Sequence, residues 1–441
     1  MKTIERVLSV VLVVLLVILA RDLLKENGQI EKERRQEQNY AEYRLTRTRE
    51  ELPSFFDARA IGRNPQVKNQ GTLGTCWAIA ASSAMEAQFL PGEQLVFAAD
   101  HISLQNYFSK EQNDGGDYTM VMAYLAGWQG PVLETDDPYG DGVSDETLLP
   151  VKHVQEMQIV KNKDYEAIKQ AVYQYGAVQT SIYMDLRNAF ASSVYYNQLE
   201  HSYYYDGQEK SNHDILIIGW DDYYDASRFN RSTAKNGAFI CQNSWGEEFG
   251  EQGIFYVSYE DVNIGNNSII YTNIEETDNY DHIYQTDNCG WVGQLGYGDG
   301  SCWFANVYTA SGPEYLQAAG LYTVGKNTEY ELYVIRDFED FSAFQKDAPV
   351  LTGKLEQIGY YTVKLPEPVE LEENERYAVV VHINTPDEKY PVASEYVADE
   401  ATEGVTIADG EGYISHNSLF WTRAEEDYAC NVCLKAYTNN R

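Results

Sequence analysis

Residues 69–88 read NQGTLGTCWAIAASSAMEAQ, with one cysteine, Cys76, between a Gly/Thr-rich turn and a run of small and apolar residues. The residues after Cys76 favour a helix, and Gly74 and Thr75 supply a turn and a hydroxyl suited to begin one. Cys76 would then lie in the first helical turn, where unpaired N–H groups and the positive end of the helix dipole favour a reactive thiolate. Free cysteines are also among the most buried residue types, so an inert core cysteine is the alternative.

Further residues along the chain would complete a thiol-dependent catalytic site. His213 begins the apolar run of SNHDILIIGW, and its imidazole could take the thiol proton and later deliver it to a leaving amine. Asn243 would hold that imidazole in one orientation, and Trp245 could shield the hydrogen bond between them from water. Gln70, with the backbone N–H of Cys76, could donate to the oxyanion of a tetrahedral intermediate. Each residue alone also fits an ordinary structural role, but the four in this order indicate nucleophilic catalysis.

These motifs resemble those of the papain-like cysteine peptidases. VKNQGTLGTCWAIA is similar to that family's oxyanion-glutamine and nucleophile segment, NHDILIIGW to its histidine strand, and QNSWGEEFGEQG to its Asn-Ser-Trp-Gly segment. LPSFFDAR, residues 52–59, resembles the start of the mature enzyme. His213 follows Cys76 within the family's usual interval of about 130–150 residues. Asn243 lies further on, because residues 223–236 enlarge the preceding loop.

The resemblance implies an α+β fold with a two-lobed peptidase domain. A helical lobe would carry Cys76, a β-rich lobe would carry His213 and Asn243, and polypeptide substrates would bind in the cleft between them. Gly115 and Gly116 would form a cleft wall on which the substrate backbone pairs as an extended strand. No metal and no organic cofactor is implied. The implied substrate-binding residues are Gly74, Gly115, Gly116, Asp117, Asn212 and Trp245.

Asp117 predicts which substrate side chains the cleft prefers. It follows the two glycines of the expected cleft wall and would place a negative charge near the non-primed subsites. We therefore expect a preference for a basic or polar side chain in the substrate.

The N-terminal segment predicts the compartment. Residues 7–20, VLSVVLVVLLVILA, are apolar except for Ser9 and are shorter than the hydrocarbon core of a bilayer. This favours a signal peptide or a short membrane anchor, with the bulk of the chain outside the cytoplasm, anchored or secreted after cleavage. The predicted segments are 1–25 (signal peptide or anchor), 26–51 (polar linker or stalk), 52–275 (peptidase domain) and 276–441 (all-β sandwich domain).

The last predicted domain has Tyr/Val-rich runs between turns, typical of half-buried strands. Its opening, DNCGWVGQLGYGDGSCWFANVYTA, resembles the lectin-like β-sandwich of some bacterial papain-like peptidases. Its Trp and Tyr rings could stack on sugars or simply fill the core. Outside the cytoplasm we expect disulfides among its cysteines, with a zinc site as the alternative, whereas Cys241 should be inert. Those cysteines are Cys289, Cys302, Cys430 and Cys433.

The net charge of the chain argues against some functions, and three classes of function remain. Acidic residues outnumber basic ones 68 to 33, a formal charge of −35, which disfavours binding to nucleic acid or anionic lipid. The leading class is an extracytoplasmic cysteine endopeptidase that works through a Cys76 thioester. The alternatives are a cell-surface protein that binds a glycan or protein partner and has an inactive peptidase lobe, and a Cys-dependent acyl transferase.

Overall fold

A helix begins at Cys76, as the sequence predicts. The computed structural model describes residues 52–345, 348–408 and 410–441. The helices are α1 (Cys76–Phe89), α2 (Ala99–Leu104), α3 (Tyr118–Ala126), α4 (Tyr165–Tyr175) and α5 (Ala424–Asp427). Short 3-10 helices span Ala58–Ile61, Gln112–Asp114, Ala226–Arg228, Phe341–Gln345 and Glu400–Thr402.

Helix α1 is the buried central helix of the first half of the chain. Residues 77–87 are all buried, so neighbouring elements pack against the helix on every side. The predicted hydroxyl cap at Thr75 is wrong. The Thr75 hydroxyl makes no capping hydrogen bond and instead bonds with the hydroxyl of Tyr139, while the Thr75 carbonyl accepts from the N–H of Ile79.

The strands form three sheets in the described ranges. Those of the first half are β1 (Phe55–Asp57), β2 (His153–Lys161), β3 (Val178–Ile182), β4 (Tyr196–Asn197), β5 (Ser202–Tyr203), β6 (His213–Asp221), β7 (Ala238–Gln242), β8 (Ile254–Ser258) and β9 (Asn267–Glu275). Those of the second half are β10 (His282–Tyr284), β11 (Gly293–Leu295), β12 (Ser301–Thr309), β13 (Glu314–Thr323), β14 (Thr328–Ile335), β15 (Leu351–Leu355), β16 (Ile358–Leu371), β17 (Arg376–Asn384), β18 (Val392–Glu395), β19 (Gly412–Ser415), β20 (Thr422–Arg423), β21 (Asn431–Val432) and β22 (Leu434–Asn440).

Strands β6 and β7 place the predicted base and its orienting residue at the same end of the sheet. The two strands are antiparallel, with Leu216 of β6 opposite Gln242 of β7. His213 is the first residue of β6, and Asn243 directly follows β7. Because antiparallel neighbours bring the start of one strand beside the end of the other, both side chains meet at one edge.

The C-terminal strands form a sandwich, as predicted, but one of its sheets continues into the first half of the chain. The order β10-β22-β13-β16-β2-β9-β3-β6-β7-β8-β5-β4 crosses from sandwich to peptidase strands through the β16–β2 pair. Tyr360 of β16 lies opposite Met157 of β2. A second sheet, β15-β14-β17-β12-β19-β20, supplies the other layer, and apolar residues of both layers, such as Leu321 and Val381, form the sandwich core. The range Ser54–Arg441 therefore forms one compact unit.

The predicted disulfides are wrong. All six cysteines lie in the described part of the chain and are unpaired. The sulfur atoms of the sandwich cysteines point to backbone carbonyls in different places: Cys289 to Tyr107, Cys302 to Trp303 and Ser415, Cys430 to Ala424, and Cys433 to Gly290. They therefore act as small buried core residues with weak S–H donors. Within the described ranges, no group of three or more His, Cys, Asp or Glu side chains is arranged to hold a metal ion.

The predictions for residues 1–25 and 26–51 lie outside the described residues. In the ranges that are described, no helix has both the length and the apolar character needed to cross a bilayer.

Candidate active site

Cys76 lies at the start of α1, where the chain turns in from an exposed loop. The residue is half-buried. Gly74, two residues earlier, packs directly on the 112–115 segment. A Cβ atom there would lie 2.8 Å from the carbonyl oxygen of Gln112, so only glycine permits this approach.

The predicted cleft wall lies next to the nucleophile. Gly115 has a positive φ of 71°, which glycine adopts without strain. A Cβ on Gly116 would lie 2.4 Å from the indole ring of Trp77, the residue after Cys76. The wall therefore packs face-on against the beginning of α1. Asp117 is exposed and caps α3 by accepting a hydrogen bond from the N–H of Thr119 (2.7 Å).

The histidine and asparagine side chains meet as the sequence predicts. His213 Nε2 lies 2.7 Å from Asn243 Oδ1. Asn243 Oδ1 also accepts the backbone N–H of Ser244 at 2.8 Å, which identifies this atom as the amide oxygen. Nε2 must then be the protonated nitrogen, and Nδ1 remains as the acceptor. Trp245 covers the pair, with its ring centroid 5.0 Å from that of His213.

Gln70 is held by the segment that carries the asparagine. Its Oε1 accepts from the Ser244 hydroxyl (2.6 Å), its backbone N–H donates to the Ser244 carbonyl (2.7 Å), and its Nε2 donates to the carbonyl of Leu73 (2.7 Å). The residue is only 8% exposed. A side-chain amide has two N–H donors, so one remains for an oxyanion after the bond to Leu73.

Asn212 has a different role from the other predicted binding residues. Its side-chain amide pairs with the backbone of Met184, accepting from the N–H at 2.7 Å and donating to the carbonyl at 3.2 Å. Its own N–H donates to the carbonyl of Ile182. The side chain therefore fixes the loop before His213, which leaves the backbone as the part of Asn212 able to meet a substrate.

The electrostatics of the resting site differ from the expectation of a helix-stabilised thiolate. Burial raises the pKa of the Cys76 thiol to about 12, and the carboxylate of Asp214 raises it too. The backbone N–H of Asp214 faces the sulfur and acts in the opposite direction. Burial lowers the pKa of His213 to about 4, although its bond to Asn243 opposes this. In the unliganded site, burial therefore favours the neutral form of both the thiol and the imidazole.

Asp214 is the residue that the sequence analysis missed. Its carboxyl is 7% exposed and accepts hydrogen bonds from Ser181 Oγ (2.6 Å) and Gln179 Nε2 (2.7 Å). Burial raises its pKa to about 6, and the field of Asp117 adds to the shift. An aspartate inside the apolar run after His213 was the available signal, because a charged residue there has to be satisfied by other elements.

The site thus has a cysteine at a helix start, a histidine bonded to an asparagine, and a glutamine amide with an unused N–H donor, which is a set of groups typical of thiol-dependent enzymes. Comparison with known families identifies the two halves. The family model described as "Papain family cysteine protease" matches residues 52–274, and the family model described as "Lectin like domain" matches residues 283–438. The chain belongs to the papain family of cysteine proteases and carries a C-terminal lectin-like domain.

Individual relatives agree with this assignment. The chain is 27% identical to mouse (Mus musculus) cathepsin K over 214 residues, which is 46% of this chain and 58% of cathepsin K. It is 30% identical to cysteine proteinase 1 of Zea mays over 221 residues, 47% of this chain and 56% of the relative. The match thus spans little more than half the length of these curated relatives.

A solved structure extends the likeness of fold to nearly the whole chain. The cysteine protease and lectin-like domains of Cwp84, described as a surface layer associated protein of Clostridium difficile, superpose with a TM-score of 0.75 at 24% identity. That match covers 89% of this chain and 90% of the solved one. The two halves therefore have the predicted α+β architecture of a papain-like domain followed by a lectin-like sandwich.

Proposed function

We propose that the chain is an extracytoplasmic cysteine endopeptidase, with Cys76 as nucleophile, His213 as general acid and base, Asn243 as orienting residue and Gln70 as oxyanion donor. The observation that carries the proposal is the 2.7 Å bond between His213 Nε2 and Asn243 Oδ1. It leaves His213 Nδ1 as the proton acceptor, which is the tautomer that a thiol nucleophile requires.

The first half of the reaction forms an acyl-enzyme. His213 Nδ1 accepts the thiol proton while the Cys76 sulfur attacks the peptide carbonyl carbon, and the carbonyl electron pair moves to oxygen. Gln70 and the backbone N–H of Cys76 donate to that oxyanion. When the carbonyl re-forms, the C–N bond breaks and the leaving amine takes the proton from His213.

Water completes the reaction. His213 accepts a proton from a water molecule that attacks the thioester, and the collapse of the second oxyanion releases a carboxylic acid and returns the proton to sulfur. An acyl transferase would differ only in the entry of an amine in place of water. The cleft wall at Gly115 and Gly116 favours an extended polypeptide as the acyl donor.

The compartment and the partner of the second domain belong to the same proposal. The apolar segment 7–20 and the similarity to a surface layer associated protein support a location outside the cytoplasm. The lectin-like domain would bind a cell-surface glycan or protein. Its exposed rings, which could stack on sugars, include Tyr297, Tyr390, Tyr396, Phe420 and Tyr428.

Labelling of the nucleophile tests the catalytic proposal. A thiol-directed peptidyl epoxide, followed by mass spectrometry, should modify Cys76 in one-to-one stoichiometry and abolish casein cleavage. Cys76→Ala should neither react nor cleave, whereas Cys241→Ala, which removes a fully buried cysteine of β7, should behave as the wild type. Failure of the folded wild type to react or cleave would contradict the assignment and favour a binding protein.

A further inference from the structure

Asp214 is a buried carboxyl whose hydrogen-bond partners are neutral. Ser181 donates a hydroxyl and Gln179 an amide. Among the ion pairs of the described ranges, none includes Asp214. Buried carboxylates are normally paired with a cation, because neutral donors replace only part of the lost hydration. This carboxyl is therefore short of positive charge.

The same residue lies close to Cys76, because the backbone N–H of Asp214 faces the Cys76 sulfur. Its field raises the pKa of the Cys76 thiol, and it acts together with Asp117 on Tyr118, whose pKa burial and these two charges raise to about 12. Cys76 and Asp117 thus both lie within the electrostatic reach of Asp214. Asp117 follows the wall glycine Gly116, so the negative charge lies on the side of the nucleophile where the wall would bind the substrate backbone.

A network ties this charge to both catalytic elements. Gln179 Nε2 donates to Asp214 and to the carbonyl of Trp77 (3.3 Å), and Gln179 Oε1 accepts from the hydroxyl of Tyr271 (2.7 Å). Asp214 directly follows His213, and Trp77 directly follows Cys76. Gln179 and Asp214 therefore link the strand of the base to the helix of the nucleophile, which fixes the carboxylate relative to both.

We propose that Asp214 selects substrates with a lysine or arginine among the residues just before the scissile bond, and that this side chain activates Cys76 by neutralising the carboxylate. The inference rests on the proposed function. A cation beside Asp214 cancels the charge that opposes thiolate formation, so it favours proton transfer from Cys76 to His213 in the occupied cleft. The substrate would thus supply the counter-ion that the fold omits, and specificity would be expressed in the acylation rate as well as in binding.

The other titratable groups around Asp214 do not supply the missing positive charge. The nearby groups are Cys76 on α1, His213 on β6, Asp117 and Tyr118 beside the wall, and Tyr271 on β9. Burial raises the pKa of Cys76, Tyr118 and Tyr271 and lowers that of His213, which favours the uncharged form of each, and Asp117 is a second carboxyl. A basic substrate side chain is therefore the cation that fits. The charge on Asp117 would guide the same side chain toward the wall.

Lysine scanning tests the inference. Internally quenched peptides would carry lysine or its uncharged analogue norleucine at each of the four positions before the scissile bond, and kcat/KM would be measured between pH 5 and pH 8. In the wild type, lysine at one of these positions should raise kcat/KM at least tenfold over norleucine. In Asp214→Asn, which keeps the shape of the side chain and one acceptor oxygen, the ratio should fall to near one. Asp340→Asn, an exposed carboxyl of the sandwich, should retain the wild-type ratio.

A second measurement needs no substrate. Alkylation of Cys76 by neutral iodoacetamide at pH 7 should be several-fold faster in Asp214→Asn than in the wild type.

If Asp214→Asn does not fold, wild-type inactivation by matched lysine and norleucine peptidyl epoxides decides, with the lysine compound expected to inactivate at least tenfold faster. A wild type that cleaves peptides but prefers norleucine, or a lysine preference that survives in Asp214→Asn, would overturn this inference alone. A folded wild type that cleaves no peptide would overturn the proposed function with it.

Discussion

Replacing Lys68 by Met should destabilise the protein more than replacing Lys68 and its partner Glu86 together. Lys68 Nζ lies 2.6 Å from Glu86 Oε1 and also donates to the Ser82 hydroxyl and the Phe97 carbonyl, both at 2.9 Å. The Glu86 side chain is 2% exposed and accepts the N–H of Phe97 at 2.8 Å. Lys68→Met leaves that carboxylate buried without its closest cation. Breaking a buried pair in this way costs about 3–5 kcal/mol.

The double substitution Lys68→Met/Glu86→Leu removes both charges. An apolar replacement of a whole buried ion pair is often close to neutral. Here it also leaves the N–H and the carbonyl of Phe97 without their partners, so we expect the double variant to recover only part of that loss. Urea unfolding would give the free energies of unfolding. Thermal unfolding should show the single variant about 4–6 °C below the wild type if the unit melts cooperatively. The reasoning would be refuted if the single variant lost less than about 1 kcal/mol, or if the double variant were as unstable as the single one.

The pH dependence supplies an independent check on the same pair. Burial raises the pKa of Glu86, and Lys68 opposes that rise, so Lys68→Met should raise the pKa of Glu86 further. An acid whose folded-state pKa lies above its unfolded value of about 4.3 destabilises the fold increasingly as pH rises past that value. The free energies of unfolding of wild type and variant should therefore converge toward pH 4 and diverge toward pH 8. A difference that does not depend on pH would show that lost packing, and not charge, causes the effect.

Three other substitutions have expected outcomes. Ser244→Ala removes the hydroxyl that holds Gln70 Oε1 and should lower kcat about tenfold with little change in KM. The reason is that the oxyanion exists only in and near the transition state, and an effect confined to KM would contradict it. Asp214→Asn should stabilise the fold above pH 6 by up to about 2–3 kcal/mol, because the raised pKa of Asp214 penalises folding as pH rises from about 4 to 6. Equal stabilisation at pH 4 would refute that cause. Gly359→Ala should loosen the β16–β2 junction, because a Cβ there would lie 2.0 Å from the Met157 carbonyl oxygen. Limited proteolysis should then separate the two halves of the chain faster than in the wild type.

The sequence predicted the positions of the candidate catalytic residues because each lies in a short local motif. Cys76 at a helix start and His213 at a strand start need only neighbouring residues to define them, and the structure has both as expected. The meeting of His213 with Asn243 is a long-range fact, but resemblance to a known family supplies it. The structure adds Ser244, whose hydroxyl and carbonyl tie Gln70 to the same strand end.

Features that depend on contacts between distant segments were not predictable in this way. The thiolate expected from the helix dipole ignores burial and the carboxylate of Asp214, and both act against the charge on Cys76. The disulfides expected from the compartment are absent among the described residues, where each sandwich sulfur faces a backbone carbonyl in a different place. The shared sheet depends on Gly359, which lets β16 approach β2 closely, and nothing in the local pattern reveals that partner.

The joined sheet also affects how the two halves can work together. Strand β2 pairs on one side with β16 of the sandwich and on the other with β9, which in turn pairs with β3 beside the strand of His213. Tyr271 of β9 reaches the network by donating its hydroxyl to Gln179, the residue that holds Asp214. A hydrogen-bonded sheet resists sliding between neighbouring strands, so the sandwich holds the frame on which Asp214 is positioned. The lectin-like domain is therefore part of the scaffold of the candidate site, and removing it would leave the edge of β2 unpaired and exposed.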